Sequence, residues 1–402
     1  MTWDENQTSG EQAFEQGHYA EAERFFSVAI QEAETITDDQ VKLADSLYYL
    51  GKVYTLFEDF SKAESALTKA LAIRGKALGT QNAKVAEVIE QLGTLYLNER
   101  KYDQSEPMLK RALDMRLKLF GENSAEVAAS MASLGALNTS KNLLHDAEAL
   151  LRKALSIQEE KLGASDRELA ATLGLIALCR MRRKDFGSAE SLVKRALEIR
   201  SAVHGPDHPN VAMTLHILAS TSMAQGKFDQ AAAYYERALA IRERYLTINH
   251  SGIVSVLRVL GYTYIQLRDY SKAEAIFQRL ESLAVGQPSY VKEWCDAVRY
   301  QAQMYVMSRQ FEEGEHYIYR ALDQFEQGKI ENEECKSRLI KSLVRCHLGQ
   351  KKFVDAAREV PTIASITVAQ AFKKLEGTQS VATIKEMVGA IKRRSSPVES
   401  DN

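Results

Sequence analysis

Residues 43–84 read LADSLYYLGKVYTLFEDFSKAESALTKALAIRGKALGTQNAK, and the return of this stretch further along the chain decides the fold. Apolar residues fall at Leu43, Leu47, Leu50, Val53, Tyr54 and Phe57, then at Phe60, Ala63, Leu67, Ala70, Leu71 and Ile73. That three-and-four spacing puts one buried stripe on each of two helices, A and B. Leu50-Gly51 comes back 42 residues later as Leu92-Gly93, again as Leu134-Gly135, and then as Ile176-Ala177, Leu218-Ala219 and Leu260-Gly261. A second mark keeps step, from Ala63-Glu64 and Ala70-Leu71 to Ala231-Ala232 and Ala238-Leu239. A hairpin too small to bury its own stripe needs neighbours, so the period predicts a stack of hairpins.

The junctions carry their own signals. Between A and B lie short polar and aromatic turns, Phe57-Glu58-Asp59-Phe60, Asn98 to Tyr102, and Gln225-Gly226-Lys227-Phe228. Ser61 with Glu64 and Ser271 with Glu274 have the spacing of capping boxes, which predicts where B starts. Gly79, Gly121, Gly163 and Gly205 recur after a basic helix end, where glycine takes the left-handed conformation that closes a helix. Glycine inside helix A costs up to about 1 kcal/mol against alanine. Gly51, Gly93 and Gly135 are therefore expected where A and B cross with backbones near contact.

Composition excludes several classes of activity. Of 402 residues 45% are apolar and 26% charged, with 52 Lys and Arg against 54 Asp and Glu. A net charge of -2 gives no built-in attraction to nucleic acid or anionic lipid. Cys179, Cys295, Cys335 and Cys346 lack CxxC spacing and read as free thiols, without a disulfide framework. An acidic, polar N-terminus and the lack of a long apolar run predict a cytoplasmic protein with no membrane span.

The small positions and aromatic turns resemble tetratricopeptide repeats, and the period of 42 instead of about 34 is similar to the long repeats of kinesin light chains. Arg195-Ala-Leu-Glu-Ile-Arg200 with His204-Gly-Pro-Asp-His-Pro-Asn-Val211, and Ser105-Glu-Pro-Met108 with a proline in the first turn of B, carry the likeness most closely. The resemblance implies an all-α, right-handed solenoid of about nine hairpins with a C-terminal capping helix, and A helices lining the concave side. The expected organisation is a tail at 1–9 and a superhelix at 10–365. Its repeats fall at 10–42, 43–84, 85–126, 127–168, 169–210, 211–252, 253–293, 294–335 and 336–365. Cap helices at 366–392 and a disordered tail at 393–402 follow.

The sequence departs from that family where it would matter. The asparagine pair with which light-chain repeats grip a peptide is replaced by Tyr48-Tyr49, Glu90-Gln91, Ala132-Ser133, Gly174-Leu175, His216-Ile217 and Arg258-Val259. No heptad segment precedes the first repeat, and the Lys, Arg and Asn set of a chaperone-tail carboxylate clamp is missing. A motor light chain is not expected, and neither clamp function is carried over.

The concave stripe of helix A then defines candidate peptide-binding residues. Asp45, Tyr48, Lys52, Glu87 and Glu90 form a polar, acidic entrance; Ala132, Ala136, Gly174, Leu178, Met213 and His216 a small, apolar middle; Arg258 and Tyr262 an aromatic, partly basic far end. A run of uncharged helices on an open face suggests a groove for an extended or helical partner segment, burying about 1,200 to 2,000 Å². The competing reading is that curvature closes the groove, so that Ala132, Ala136 and Gly174 only pack.

Signs of chemistry are weak. His204 and His208 lie in an inter-repeat loop and not on one helical face, Cys335 falls before a helix, and Cys346-His347 has Cys346 toward the groove without an orienting third group. No phosphate-binding loop, dinucleotide fingerprint or HExxH is present. Lys392-Arg-Arg-Ser-Ser396 reads as a solvated tail. The expected activity is that of a non-enzymatic protein- or peptide-binding scaffold, with no cofactor or metal and no nucleic-acid or membrane partner; the sequence does not specify the oligomeric state. The alternatives are a peptide-responsive regulator that changes shape on binding and an accessory subunit of a larger assembly.

Overall fold

The computed structural model describes residues 2–35, 40–247, 250–327, 332–352 and 355. Among these every regular element is helical, and there is no strand. The expected ninth hairpin beyond Lys352, the cap helices and the basic tail lie outside the described residues. The chain divides into two compact units, Met1–Ile253 and Val254–Asn402.

In the first unit A and B alternate. The hairpins are α1 (Trp3–Glu15) with α2 (Tyr19–Thr35), α3 (Gln40–Leu56) with α4 (Phe60–Leu78), α5 (Ala83–Asn98) with α6 (Tyr102–Phe120), and α7 (Ala125–Ser140) with α8 (Leu144–Leu162). Then come α9 (Arg167–Arg182) with α10 (Phe186–His204) and α11 (Pro209–Ala224) with α12 (Phe228–Tyr245). The sequence continues with α13 (Ser251–Leu267), α14 (Tyr270–Ala284), α15 (Val291–Ser308), α16 (Phe311–Glu326) and α17 (Glu333–Gly349). The tail expected at 1–9 is helical from Trp3, because Thr2 and Glu5 form a reciprocal capping box.

The A–B turns reverse in one way throughout. Glu58, Arg100, Asn142, Lys184, Arg268, Arg309 and Lys351 all have φ near +60°, and Gly17 and Gly226 hold the same place. This left-handed residue lets helix B begin two residues earlier than the serines suggest. The caps are Asp59 on the Lys62 N–H, Asp185 on Ser188 and Asp269 on Lys272, not Ser61 or Ser271. The earlier start also places Pro107 within α6, beyond its first turn.

Between hairpins the expectation needs a second correction. Gly79, Gly121, Gly163 and Gly205 have φ of 83°, 77°, 89° and 87°, but ψ of 157° to 168°. This is the extended positive-φ region, essentially closed to residues with a Cβ, and not the left-handed helical well. The chain leaves B extended and enters the next A through a cap, as at Asn82, Ser124, Asp166 and His208.

The helix crossings are close at the glycines, as expected, with the Leu109 backbone nitrogen 3.3 Å from where a Cβ of Gly93 would stand. The space above each small A-helix residue holds a large B-helix side chain sixteen positions later: Phe26 over Gly10, Leu67 over Gly51, Leu109 over Gly93, Leu151 over Gly135 and Phe277 over Gly261. Atoms of these side chains come within 2.6 to 2.7 Å of where a Cβ would stand. The crossings are thus keyed by shape, a hollow on A and a knob on B. Where A carries Ala177 the knob shrinks to Val193 in the same core cluster.

Candidate functional site

In the first unit successive A helices touch one another, α1 with α3, α3 with α5, and so on to α9 with α11. The A side is therefore the inner side of the curve there. The chain bends far enough to meet itself. The carbonyl oxygen of Glu15 lies 3.0 Å from His208 Nε2, the Glu15 carboxylate pairs with Arg167, and the ring of His18 stacks on Tyr245 at 5.7 Å. One repeat on, the Leu56 carbonyl lies 2.8 Å from His250 Nε2, and Glu58 accepts the Ser251 hydroxyl proton. Both returns span 193 or 194 residues, between four and five repeats. A cleft of about 700 Å³ lies at the first, lined by Gln12, Gln16, Val203, His204 and Asp207 among others.

The acidic entrance is occupied by the chain's own cations. Arg74 donates to Asp45 at 2.7 Å and to Glu87 at 3.4 Å, and Lys84 reaches the other oxygen of Asp45 at 2.8 Å. Arg116 meets Glu90 at 2.8 Å, and Ser133 donates to the same carboxylate at 3.0 Å. These arginines belong to a ladder that a search for motifs on helix A passes over. Arg74, Arg116, Arg200 and Arg242 stand at one place near the end of B, and each donates to a first-turn carbonyl of the next A helix, at Lys84, Glu126, Asn210 and Gly252. Gln158 takes the fifth place and accepts the Thr172 hydroxyl proton. The ladder was legible in the 42-residue step once helix B was read for polar as well as small residues.

Lys52 is arranged differently. Its ammonium lies over Phe14, Tyr49 and Tyr48 at 4.6, 5.1 and 5.5 Å, a cation on three aromatic faces. Burial pushes its pKa down, with Glu15 and Glu87 opposing the shift. Tyr48 is raised by burial first and by Glu87 next, and also stacks under Arg74.

The middle of the stripe keeps its apolar character. Ala132 and Ala136 on α7 and Leu178 on α9 are half-buried, Ala171 is exposed, and Met213 on α11 is 45% exposed. Gly174 is buried: a Cβ there would meet Ile217 of α11 at 3.6 Å, so it is a packing position between A helices with no surface of its own. His216 packs edge-on against Tyr235, whose hydroxyl is 2.8 Å from Ser220. Arg258 and Tyr262 lie in the second unit, Arg258 3.8 Å from Asp296 and Tyr262 against Tyr300 at 5.1 Å.

The chemistry-bearing candidates take structural places. His204 ends α10, and its ring stacks on His208 at 4.4 Å. Cys335 is inside α17, with its thiol against Cys295, and not before the helix. Cys346 is fully buried, its sulfur against Gly314, so it does not face a groove.

A family model described as tetratricopeptide repeat matches residues 6–76, 84–160, 168–222 and 214–284. The chain belongs to the tetratricopeptide repeat family. Solved tetratricopeptide structures share the fold. A Rap protein complexed with Competence and Sporulation Factor is 15% identical, with 98% of each chain covered and a TM-score of 0.56. The apo quorum sensor NprR from B. thuringiensis is 14% identical over 90% of this chain and 97% of its own, at 0.56. The TPR-like repeats of a Podospora anserina protein described as a putative kinesin light chain are 17% identical over 50% of this chain and 96% of their own, with a TM-score of 0.41 that adds nothing to the fold assignment. No protein of curated function matches the sequence. Among the described residues no helix is long and apolar enough to cross a membrane.

Proposed function

We propose that the unit Met1–Ile253 is a non-enzymatic scaffold that holds an extended or helical segment of a protein partner against the inner faces of its A helices. One observation carries the reading: α7, α9 and α11 offer Ala132, Ala136, Ala171, Leu178 and Met213 in succession, uncharged and at least partly open, on the inner side of the curve. Solvent-facing helix stripes are ordinarily charged, and an uncharged stripe on a concave wall suits an apolar partner surface. The ion pairs at Asp45, Glu87 and Glu90 frame that stripe.

A regulator that changes shape on taking up a peptide is the second reading. It draws on the likeness to a Rap protein bound to a signalling factor and to a quorum sensor. It is also favoured by the few polar contacts that hold the curve closed on itself.

The test uses a random-peptide display library on the full chain, followed by titration of the selected peptide into Ala136→Arg with Leu178→Glu. Binding should be lost with circular dichroism unchanged; retained binding removes the groove from consideration. A change in radius of gyration on peptide addition selects the regulator, and an unchanged radius the scaffold.

A further inference from the structure

The five cap positions before helices α5, α7, α9, α11 and α13 are Asn82, Ser124, Asp166, His208 and His250, each 42 residues from the last. A cap needs only one side-chain acceptor, and the first three supply an oxygen to the N–H of Lys84, Val127 and Glu168. His208 and His250 do this with Nδ1, which accepts from Asn210 at 3.1 Å and Gly252 at 2.9 Å. Since Nδ1 accepts, the proton sits on Nε2. That nitrogen points out of the cap to the carbonyl oxygens of Glu15 and Leu56. Histidine thus occupies the cap in the two repeats whose caps meet an earlier turn of the chain. Its second nitrogen can bridge where Asn, Ser or Asp would end.

We propose that His208 and His250 are paired clasps which hold the inner groove of the first unit closed, and that protonation of His208 in acidic solution releases the first of them. The consequence for ligand entry rests on the groove reading; the closure itself does not. A second proton on the His208 imidazole must go to Nδ1, where it faces the Asn210 N–H and the positive end of a helix dipole. The ring is then expelled from the cap, and its bridge goes with it. Around His208 stand His204 and Arg200 on α10, Arg167 on α9, Asp207 in its own loop, and Glu15 and His18 on the facing turn. Burial lowers its pKa and His204 adds to that, while Glu15, held by Arg167, opposes. His250 faces the Leu56 carbonyl; next to it Ser251 donates to Glu58, and Arg242 donates to Gly252. Sequence alone showed the His204 and His208 pair only as a weak metal candidate.

Spin labels at Gln16→Cys and Val203→Cys, both lining the cleft at the first return, read the closure without any ligand. The full chain should show one short distance at pH 7.5 and gain a longer population at pH 5.5. His208→Asn with His250→Asn keeps both caps, as Asn82 does, and should show the longer population at both pH values with helicity unchanged. A single short distance in that variant at pH 7.5, or an acid response equal to the parent's, overturns the proposal. If the clasps open as described but the double-charge variant of the groove still binds the selected peptide, the groove reading alone falls.

Discussion

Leu109 fills the hollow above Gly93, its Cδ2 standing 2.6 Å from where a Cβ of residue 93 would be. That contact is far inside the usual limit, so even one methyl forces the Leu109 side chain to shift. Gly93→Ala gains about 1 kcal/mol of helix propensity and loses about 1 to 3 kcal/mol to overpacking. The expected net effect is a lower urea midpoint, with Gly93→Leu lower still. The array contains its own rescue: Ala177 shares its core cluster with Val193 where Gly93 has Leu109. Gly93→Ala combined with Leu109→Val should therefore recover part of the loss of the single alanine variant. A double-mutant cycle with no coupling would show that the hollow and knob are not paired.

The glycines between hairpins act through backbone conformation alone. Nothing stands within 4 Å of a Cβ at Gly163, yet its φ of 89° and ψ of 159° belong to glycine. Gly163→Ala should cost about 1 to 3 kcal/mol although there is room for the methyl. Lys184 is the control, a non-glycine residue at φ 64° in an A–B turn. Lys184→Gly relieves about 1 to 2 kcal/mol of left-handed strain and returns part of it as unfolded-state entropy. Equilibrium unfolding should show the two substitutions moving stability in opposite directions.

How far sequence reading reached follows from what each residue's role depends on. The 42-residue period, the helix pairs and the hollow at Gly93 are local and repeated, so they stood out in one chain. The knob at Leu109 looks like any buried leucine, because only the crossing reveals which position fills the gap. Asp45, Glu87 and Glu90 looked free on helix A since their partners, Arg74 and Arg116, come from helix B. Contacts from Glu15 to His208 depend on curvature accumulated over several repeats, which no single repeat encodes.

Position along the arginine ladder should decide the cost of losing a rung. Arg116 is 7% exposed and faces Glu90 at 2.8 Å, so Arg116→Leu strands a half-buried carboxylate. A loss of about 3 kcal/mol is expected. Arg200 is equally buried but bonds the Asn210 carbonyl and the Thr214 hydroxyl, and burial lowers its pKa to about 10. No carboxylate is orphaned by Arg200→Gln, and Gln158 already serves at the equivalent place. That substitution should cost about 1 kcal/mol, the scale of one ordinary hydrogen bond. Equal losses for the two variants, measured in urea, would mean that the charge pair contributes nothing beyond the backbone contact.

Glu190 ties one repeat to the next and should make the joint sensitive to strong acid. Its carboxylate meets Lys194 at 2.7 Å and Lys227 at 3.0 Å, and these bonds hold its pKa at about 2. Because the folded value lies below the ordinary carboxylate value of about 4.3, the unfolded chain takes up the proton first. The contribution is therefore complete above about pH 4.5 and is lost as the pH falls toward 2. Both lysines are about half exposed, which screens the pair, so Glu190→Gln should cost only about 1 kcal/mol at pH 7. Parent and variant curves of urea midpoint against pH should converge between pH 4.5 and 2. Curves that stay parallel through that window would assign the cost of the substitution to lost packing and not to the charge.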